Sequence, residues 1–232
     1  MNQPRSVAFP PQAMPLAAWS RAQALAMTAT LGTCAWQGQA WPVAVSALIT
    51  FTALLWLGRH AYTPSGRFGS ANTVTGVRLI VLLTLTLPPR LLPAWCALTI
   101  ALSVLGLDLL DGWLARRASD TSAFGAHFDM ETDALLVLVV TLRLWLGQGY
   151  EPWVLVAGYL RYAYVLGLWG WSGSGREAPR SRFGRWAFGL LMLGLCSGLV
   201  LSGLAGRISV ALGTLAVSVS FARSYYFSRH AS

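Results

Sequence analysis

Residues 108–133 read DLLDGWLARRASDTSAFGAHFDMETD, and this stretch holds six of the eight acidic residues in a chain of 232. Asp108 and Asp111 are three apart and Asp129 and Asp133 four apart, so on helices each pair shares a face, with about 5–6 Å between Cβ atoms. The segment between them reads as a turn joining two apolar runs, which sets the two pairs facing each other on adjacent helices. Glu131 falls between Asp129 and Asp133 and therefore points away from both, while Asp120 reads as a loop or cap residue.

The rest of the chain is apolar. Hydrophobic residues make up 55%, charged residues only 11%, and the mean hydropathy is +0.55, a balance that excludes an ordinary soluble domain and reads as a membrane protein. Apolar segments lie near 16–36, 41–58, 73–88, 92–116, 126–147, 152–171, 184–204 and 207–227. Most approach the roughly 20 residues with which a helix crosses ~30 Å of hydrocarbon. Strands are excluded because the alternation of a barrel is missing and an open backbone in lipid is costly. The expected fold class is thus all-α, a polytopic membrane helix bundle. The first segment, interrupted by Arg21 and Gln23, also suits a helix lying on the membrane surface. The start, MNQPRSVAFPPQAMP, faintly resembles a signal peptide but lacks a small-x-small cleavage site and is expected to be retained. Cys34, Cys96 and Cys196 are scattered within apolar runs and read as buried thiols.

All 17 basic residues are Arg, and the net charge is +9. Such an excess suits nucleic acid or anionic lipid; its placement beside apolar spans favours lipid headgroups, and no nucleic-acid partner is expected. With the amino terminus in the cytoplasm, Arg5, Arg59, Arg67, Arg116, Arg117, Arg176, Arg180, Arg182, Arg185, Arg223 and Arg229 fall inside, against Arg90 and Arg207 outside. That asymmetry puts the acidic stretch on the cytoplasmic face of a cytoplasmic or inner membrane. The 11 Trp, many near span ends, fit interfacial belts or dimer packing.

Four carboxylates this close cannot all stay ionised without compensating positive charge. Arg78, Arg116, Arg143 or Arg161 can pair with them, or divalent cations can. Oxygen donors select Mg²⁺, Mn²⁺ or Ca²⁺, and four carboxylates can hold two ions about 3.5–4 Å apart, the arrangement used in phosphoryl chemistry. His127 stands alone nearby, so a zinc site is excluded. Gly112 and Gly125 let helices approach closely, or leave room for a phosphate or nucleotide.

As a pattern the stretch is Asp108-x2-Asp111-Gly112-x2-Ala115-Arg116-x8-Gly125-x3-Asp129-x3-Asp133. It resembles the signature of the CDP-alcohol phosphotransferase family, with every defining position filled. Upstream, Asn72, Thr75 and Arg78 in ANTVTGVRL match the residues that open the family's first core helix. The resemblance implies a six-helix catalytic core over 72–232, preceded by an amino-terminal segment, 1–71, with about two extra helices. It implies an integral-membrane enzyme of phospholipid synthesis that transfers a phosphatidyl group from a CDP-alcohol, CDP-diacylglycerol being the expected donor, to an alcohol acceptor with release of CMP. Carried over, Asp108, Asp111, Asp129 and Asp133 hold two divalent ions, Mg²⁺ or Mn²⁺, and Asp133 is also the general base. Gly112, Ala115 and Arg116, with Gly125, Asn72 and Thr75, seat the CDP. A homodimer is expected.

Arg161, Arg180, Arg182, Arg185 and Arg223 are candidates for the phosphate of a charged acceptor, and those within REAPRSRFGR, residues 176–185, read equally as positive-inside anchors. Glycerophosphate-using members read DPxADK at the second acidic pair where this chain reads DMETDA, and FGAHFDMETD is more similar to eukaryotic phosphatidylinositol synthases. Two competing readings are a CDP-amino-alcohol phosphotransferase acting on diacylglycerol and a divalent-cation transporter. The transporter needs its carboxylates near mid-membrane, not at one end beside an Arg pair.

Overall fold

The computed structural model describes residues 13–63, 66–118, 122–172, 182–201 and 203–230, with the side chains of 13–15, 109–118, 171–172, 182 and 228–230 outside that description. Among the described residues there are eight α-helices, two 3₁₀ turns and no strand. The helices are α1 (Ala13–Gln37), α2 (Trp41–Gly58), α3 (Ser70–Leu83), α4 (Ala94–Ala118), α5 (Ala123–Gln148), α6 (Leu155–Ser172), α7 (Arg182–Val200) and α8 (Leu204–His230). Each of the eight apolar segments is one helix, and the all-α membrane bundle is the observed architecture.

The ends differ from the apolar runs where local chemistry intervenes. The third run continues to residue 88, but α3 stops at Leu83 and tightens into a 3₁₀ turn over Thr84–Thr86. Pro88 and Pro89 follow, and neither has a backbone N–H with which to continue a helix. The seventh run reads to 204, yet α7 ends at Val200, and Gly203 takes a φ of 77° before α8 begins. Ser122 caps α5 by accepting the Gly125 N–H at 2.9 Å.

α5 lies at the centre. It packs against α2, α3, α6 and α7, and every residue from Leu135 to Leu144 is buried. Arg143 is among them; its Nη1 donates to the carbonyls of Leu87 (2.9 Å) and Leu85 (3.4 Å) and its Nη2 to that of Leu92. It thereby satisfies carbonyls that the end of α3 and the proline turn leave over. α7 and α8 form a tight hairpin in which a Cβ on Gly194 would stand 2.5 Å from the Ser209 carbonyl oxygen, and one on Gly213 2.7 Å from the Leu191 Cα. Only glycine permits that approach. α1 packs on α2 and α6 and buries Trp19, Ser20, Gln23, Ala24 and Met27. It is therefore a bundle member on that face and not a helix lying free on the surface.

Large apolar side chains cover the outside, among them Ile49, Ile80, Leu91, Leu193, Leu212 and Leu215, as expected where the solvent is lipid. Exposed Trp gather at both helix ends: Trp36, Trp41 and Trp95 at one, Trp56, Trp169 and Trp186 at the other. These two levels are the aromatic belts of a membrane protein. Trp41–Gly58, Phe183–Val200 and Leu204–Phe227 are long and apolar enough to cross a membrane on composition alone. α5 misses that standard because it carries Asp129, Glu131, Asp133 and Arg143.

Candidate active site

α3 enters the bundle presenting Asn72, Thr75 and Arg78, all buried, one turn after another down its inner side. Asp108 is late on α4, and Asp129 and Asp133 occupy successive turns near the start of α5. Their carboxylates converge: one oxygen from each lies within 4.8 Å of the others. The guanidinium of Arg78, 0% exposed, stands among them, with Nη1 3.0 Å from Asp108 Oδ1 and 2.8 Å from Asp129 Oδ1, and Nη2 2.6 Å from Asp133 Oδ1. The acids keep more access to the outside, at 30%, 23% and 18% for Asp108, Asp129 and Asp133.

Arg78 is thus one counter-charge of the group, and the same carboxylates leave room for a cation as a second. Arg78 supplies one positive charge against three carboxylates, so it cannot neutralise the group by itself. Partly open carboxylates with clustered oxygens are a hard-donor set that suits a divalent cation, and the residues present fit such an ion. Asp111 follows Asp108 by one turn on α4, but its side chain lies outside the described residues, as do those of Gly112, Ala115 and Arg116.

Beside the acids is a second polar corner. The Asn72 side-chain amide donates to the carbonyls of Phe68 (2.6 Å) and Tyr62 (3.2 Å), and Ser122 Oγ donates to the same Tyr62 carbonyl at 2.5 Å. Gly125 sits against this knot. A Cβ there would fall 2.8 Å from Asn72 Oδ1 and 3.2 Å from Ser122 Oγ, so a side chain would displace both. The loop before α3, the face of α3 and the first turn of α5 are thus joined at the edge of the acidic cluster. Thr75 Oγ1 donates back to the Ala71 carbonyl at 3.1 Å.

The remaining candidates are dispersed. Arg161 is not among the three aspartates; its Nη2 lies 2.6 Å from Glu131 Oε1 on the opposite side of α5. Arg143 is tied to backbone carbonyls, as described. Arg185 is exposed near the start of α7, and Arg223 is exposed on α8 with its guanidinium 5.5 Å from the Phe227 ring centroid. Arg180 and the side chain of Arg182 lie outside the described residues. His127 is not isolated: Nε2 is 3.1 Å from Ser20 Oγ. The sequence had no signal for that contact, because Ser20 belongs to a helix far upstream.

No solved structure matches the chain. A family model does: CDP-alcohol phosphatidyltransferase, over residues 68–222. The matched stretch begins just before Asn72 and runs well into α8, enclosing Arg78 and the acids it gathers. With well over half of its length matched and its acidic cluster set in an apolar helix bundle, the chain belongs to the CDP-alcohol phosphatidyltransferase family and is an integral-membrane enzyme that transfers a substituted phosphate group.

Proposed function

We propose that this enzyme transfers the phosphatidyl group of CDP-diacylglycerol to the hydroxyl of a second alcohol, releasing CMP at the cytoplasmic face of the membrane. The observation that carries the reading is the convergence of Asp108, Asp129 and Asp133 within 4.8 Å around one guanidinium. Residues 72–232 form the catalytic core in this account, and 1–71 an amino-terminal addition.

Asp108, Asp111, Asp129 and Asp133 would hold two divalent cations, Mg²⁺ or Mn²⁺. Bound there, the ions neutralise the charge of a diphosphate and stabilise the departing phosphate oxygen. The protein's own groups do the rest. Asn72 and Gly125 shape the corner in which the donor's cytidine end is seated, with Thr75, Gly112, Ala115 and Arg116. Asp133 accepts the proton of the acceptor hydroxyl as its oxygen bonds to the phosphorus that carries diacylglycerol. The bond from that phosphorus to the CMP oxygen breaks, and CMP leaves with the electron pair. Arg78 keeps the acids together and supplies positive charge where the transferred phosphoryl group's negative charge is greatest.

The donor is settled by isotope. With the phosphorus next to diacylglycerol labelled, CDP-diacylglycerol and an acceptor should yield labelled phosphodiester lipid and unlabelled CMP. Transfer of label into lipid only from a soluble CDP-amino-alcohol in the presence of diacylglycerol would replace this donor with the other.

A further inference from the structure

Glu131 is the one acid of α5 turned away from the cluster, and it is the most deeply buried, at 1% exposure. Its Oε1 lies 2.6 Å from Arg161 Nη2 on α6 and accepts Ser20 Oγ of α1 at 3.2 Å. His127 Nε2 is 3.9 Å from the same oxygen, and the Trp19 ring meets the His127 ring edge-on with centroids 5.7 Å apart. One short stretch of α5 is thus gripped by guanidinium groups on opposite sides, Arg78 at Asp129 and Asp133, Arg161 at Glu131. Ser20 lies outside residues 68–222, so the second grip draws on a helix beyond the matched region.

Such a double grip has a mechanical consequence. Most of α5 is held by Leu and Val contacts, which are non-directional and tolerate rotation about the helix axis. With side chains a helix has a radius of about 5–6 Å, so a turn of about 20° moves a carboxylate by about 2 Å. That is enough to break up a cluster whose oxygens lie within 4.8 Å of one another. Directional, charge-assisted bonds on both faces fix the rotation instead.

We propose that Glu131, held by Arg161 and Ser20, is a positioning residue that sets the rotation of α5 and with it the placement of Asp129 and Asp133 opposite Asp108. α1 is then part of the working enzyme and not only an added membrane helix. This rests on the reading that the aspartates hold divalent cations.

The test uses the full chain in detergent and reads thermal midpoint, Mn²⁺ affinity by electron paramagnetic resonance without substrates, and CMP release. The variants are Glu131→Leu with Arg161→Leu together, which removes both buried charges, and Ser20→Ala. The double variant should keep its thermal midpoint, because apolar replacements of a buried ion pair are often neutral, yet bind Mn²⁺ about tenfold more weakly. Its kcat should fall while KM for the CDP donor holds. Ser20→Ala, the milder change, should weaken Mn²⁺ about threefold at unchanged stability, which keeps the proposal testable if the double variant does not fold. A parent that binds Mn²⁺ beside variants that bind it equally tightly would overturn the positioning role alone. A parent that binds no Mn²⁺ would overturn the reading of the aspartates, and the positioning role with it.

Discussion

Arg78 Nη2 lies 2.6 Å from Asp133 Oδ1, and this contact joins the fully buried arginine of α3 to an acid near the start of α5. Through its other nitrogen the same guanidinium reaches Asp108 on α4 and Asp129 on α5, so three helices meet at one planar group. A lysine would offer a point charge in place of this fork.

Removal of that charge should be felt first as stability without metal. Arg78→Leu leaves three close carboxylates short of their main cation, and the metal-free protein should lose about 3 kcal/mol, the scale for orphaning a buried charge. Mn²⁺ should restore much of the loss. Thermal unfolding in detergent with EDTA and with Mn²⁺ checks this; equal midpoints for parent and variant under EDTA would mean that the guanidinium does not hold the acids together.

Gly125→Ala tests the polar corner. The added methyl group lands 2.8 Å from Asn72 Oδ1, and the side chain of Asn72 has to shift. An overpacked site of this kind costs about 1–3 kcal/mol. If the corner seats the donor, KM for the CDP-alcohol should rise about tenfold on that scale, with Mn²⁺ affinity in the absence of donor unchanged. Steady-state CMP release against donor concentration, beside a Mn²⁺ titration, reads both.

Arg143 should behave in the opposite way. Its guanidinium serves the carbonyls of Leu85, Leu87 and Leu92 at the other end of α5, far along the helix from Asp133. Arg143→Met should lower stability by about 2–3 kcal/mol, as expected for loss of charge-assisted bonds, and leave KM and Mn²⁺ affinity as they were. A large change in Mn²⁺ affinity would show that the two ends of α5 are coupled.

Topology is open to chemical labelling. Gln39 in the α1–α2 turn and Arg67 in the loop before α3 are both exposed, and they lie at opposite ends of the bundle. In intact cells a membrane-impermeant maleimide should label Gln39→Cys and spare Arg67→Cys, and in inverted vesicles the pattern should reverse. The parent, whose Cys34 and Cys196 are buried and Cys96 half-buried, gives the background.

Much of this was legible in the sequence, for reasons that individual residues make clear. Lipid demands long apolar helices, so the eight segments showed themselves without any tertiary information. Helical period then oriented residues within one helix, which is why Glu131 was placed correctly on the far side from Asp129 and Asp133. Period carries no information about which neighbour a face meets. Arg161 reads from sequence either as a counter-charge to the aspartates or as a phosphate ligand, and only the packing of α6 on α5 gives it to Glu131; His127 reads as solitary because its partner, Ser20, is on α1. Arg78 is both a motif residue and one of four possible counter-charges, and the packing of α3 against α4 and α5 is what brings it to Asp108, Asp129 and Asp133. The early end of α3 was foreshadowed by Pro88 and Pro89, although apolar character alone ran the segment past it.

If the acids assembled around Arg78 carry out CDP-alcohol chemistry, CMP release must depend on an alcohol acceptor. Purified protein would be given CDP-diacylglycerol, Mg²⁺ or Mn²⁺, and in turn glycerol 3-phosphate, inositol, inositol 1-phosphate, serine or no acceptor, with Asp133→Asn alongside. CMP should appear with one acceptor and not under EDTA, and its rate should fall by at least about 100-fold in the variant, the scale of a general base. CMP release that survives Asp133→Asn at the parent's rate, or folded protein that releases none with any acceptor, would contradict that role for the acids.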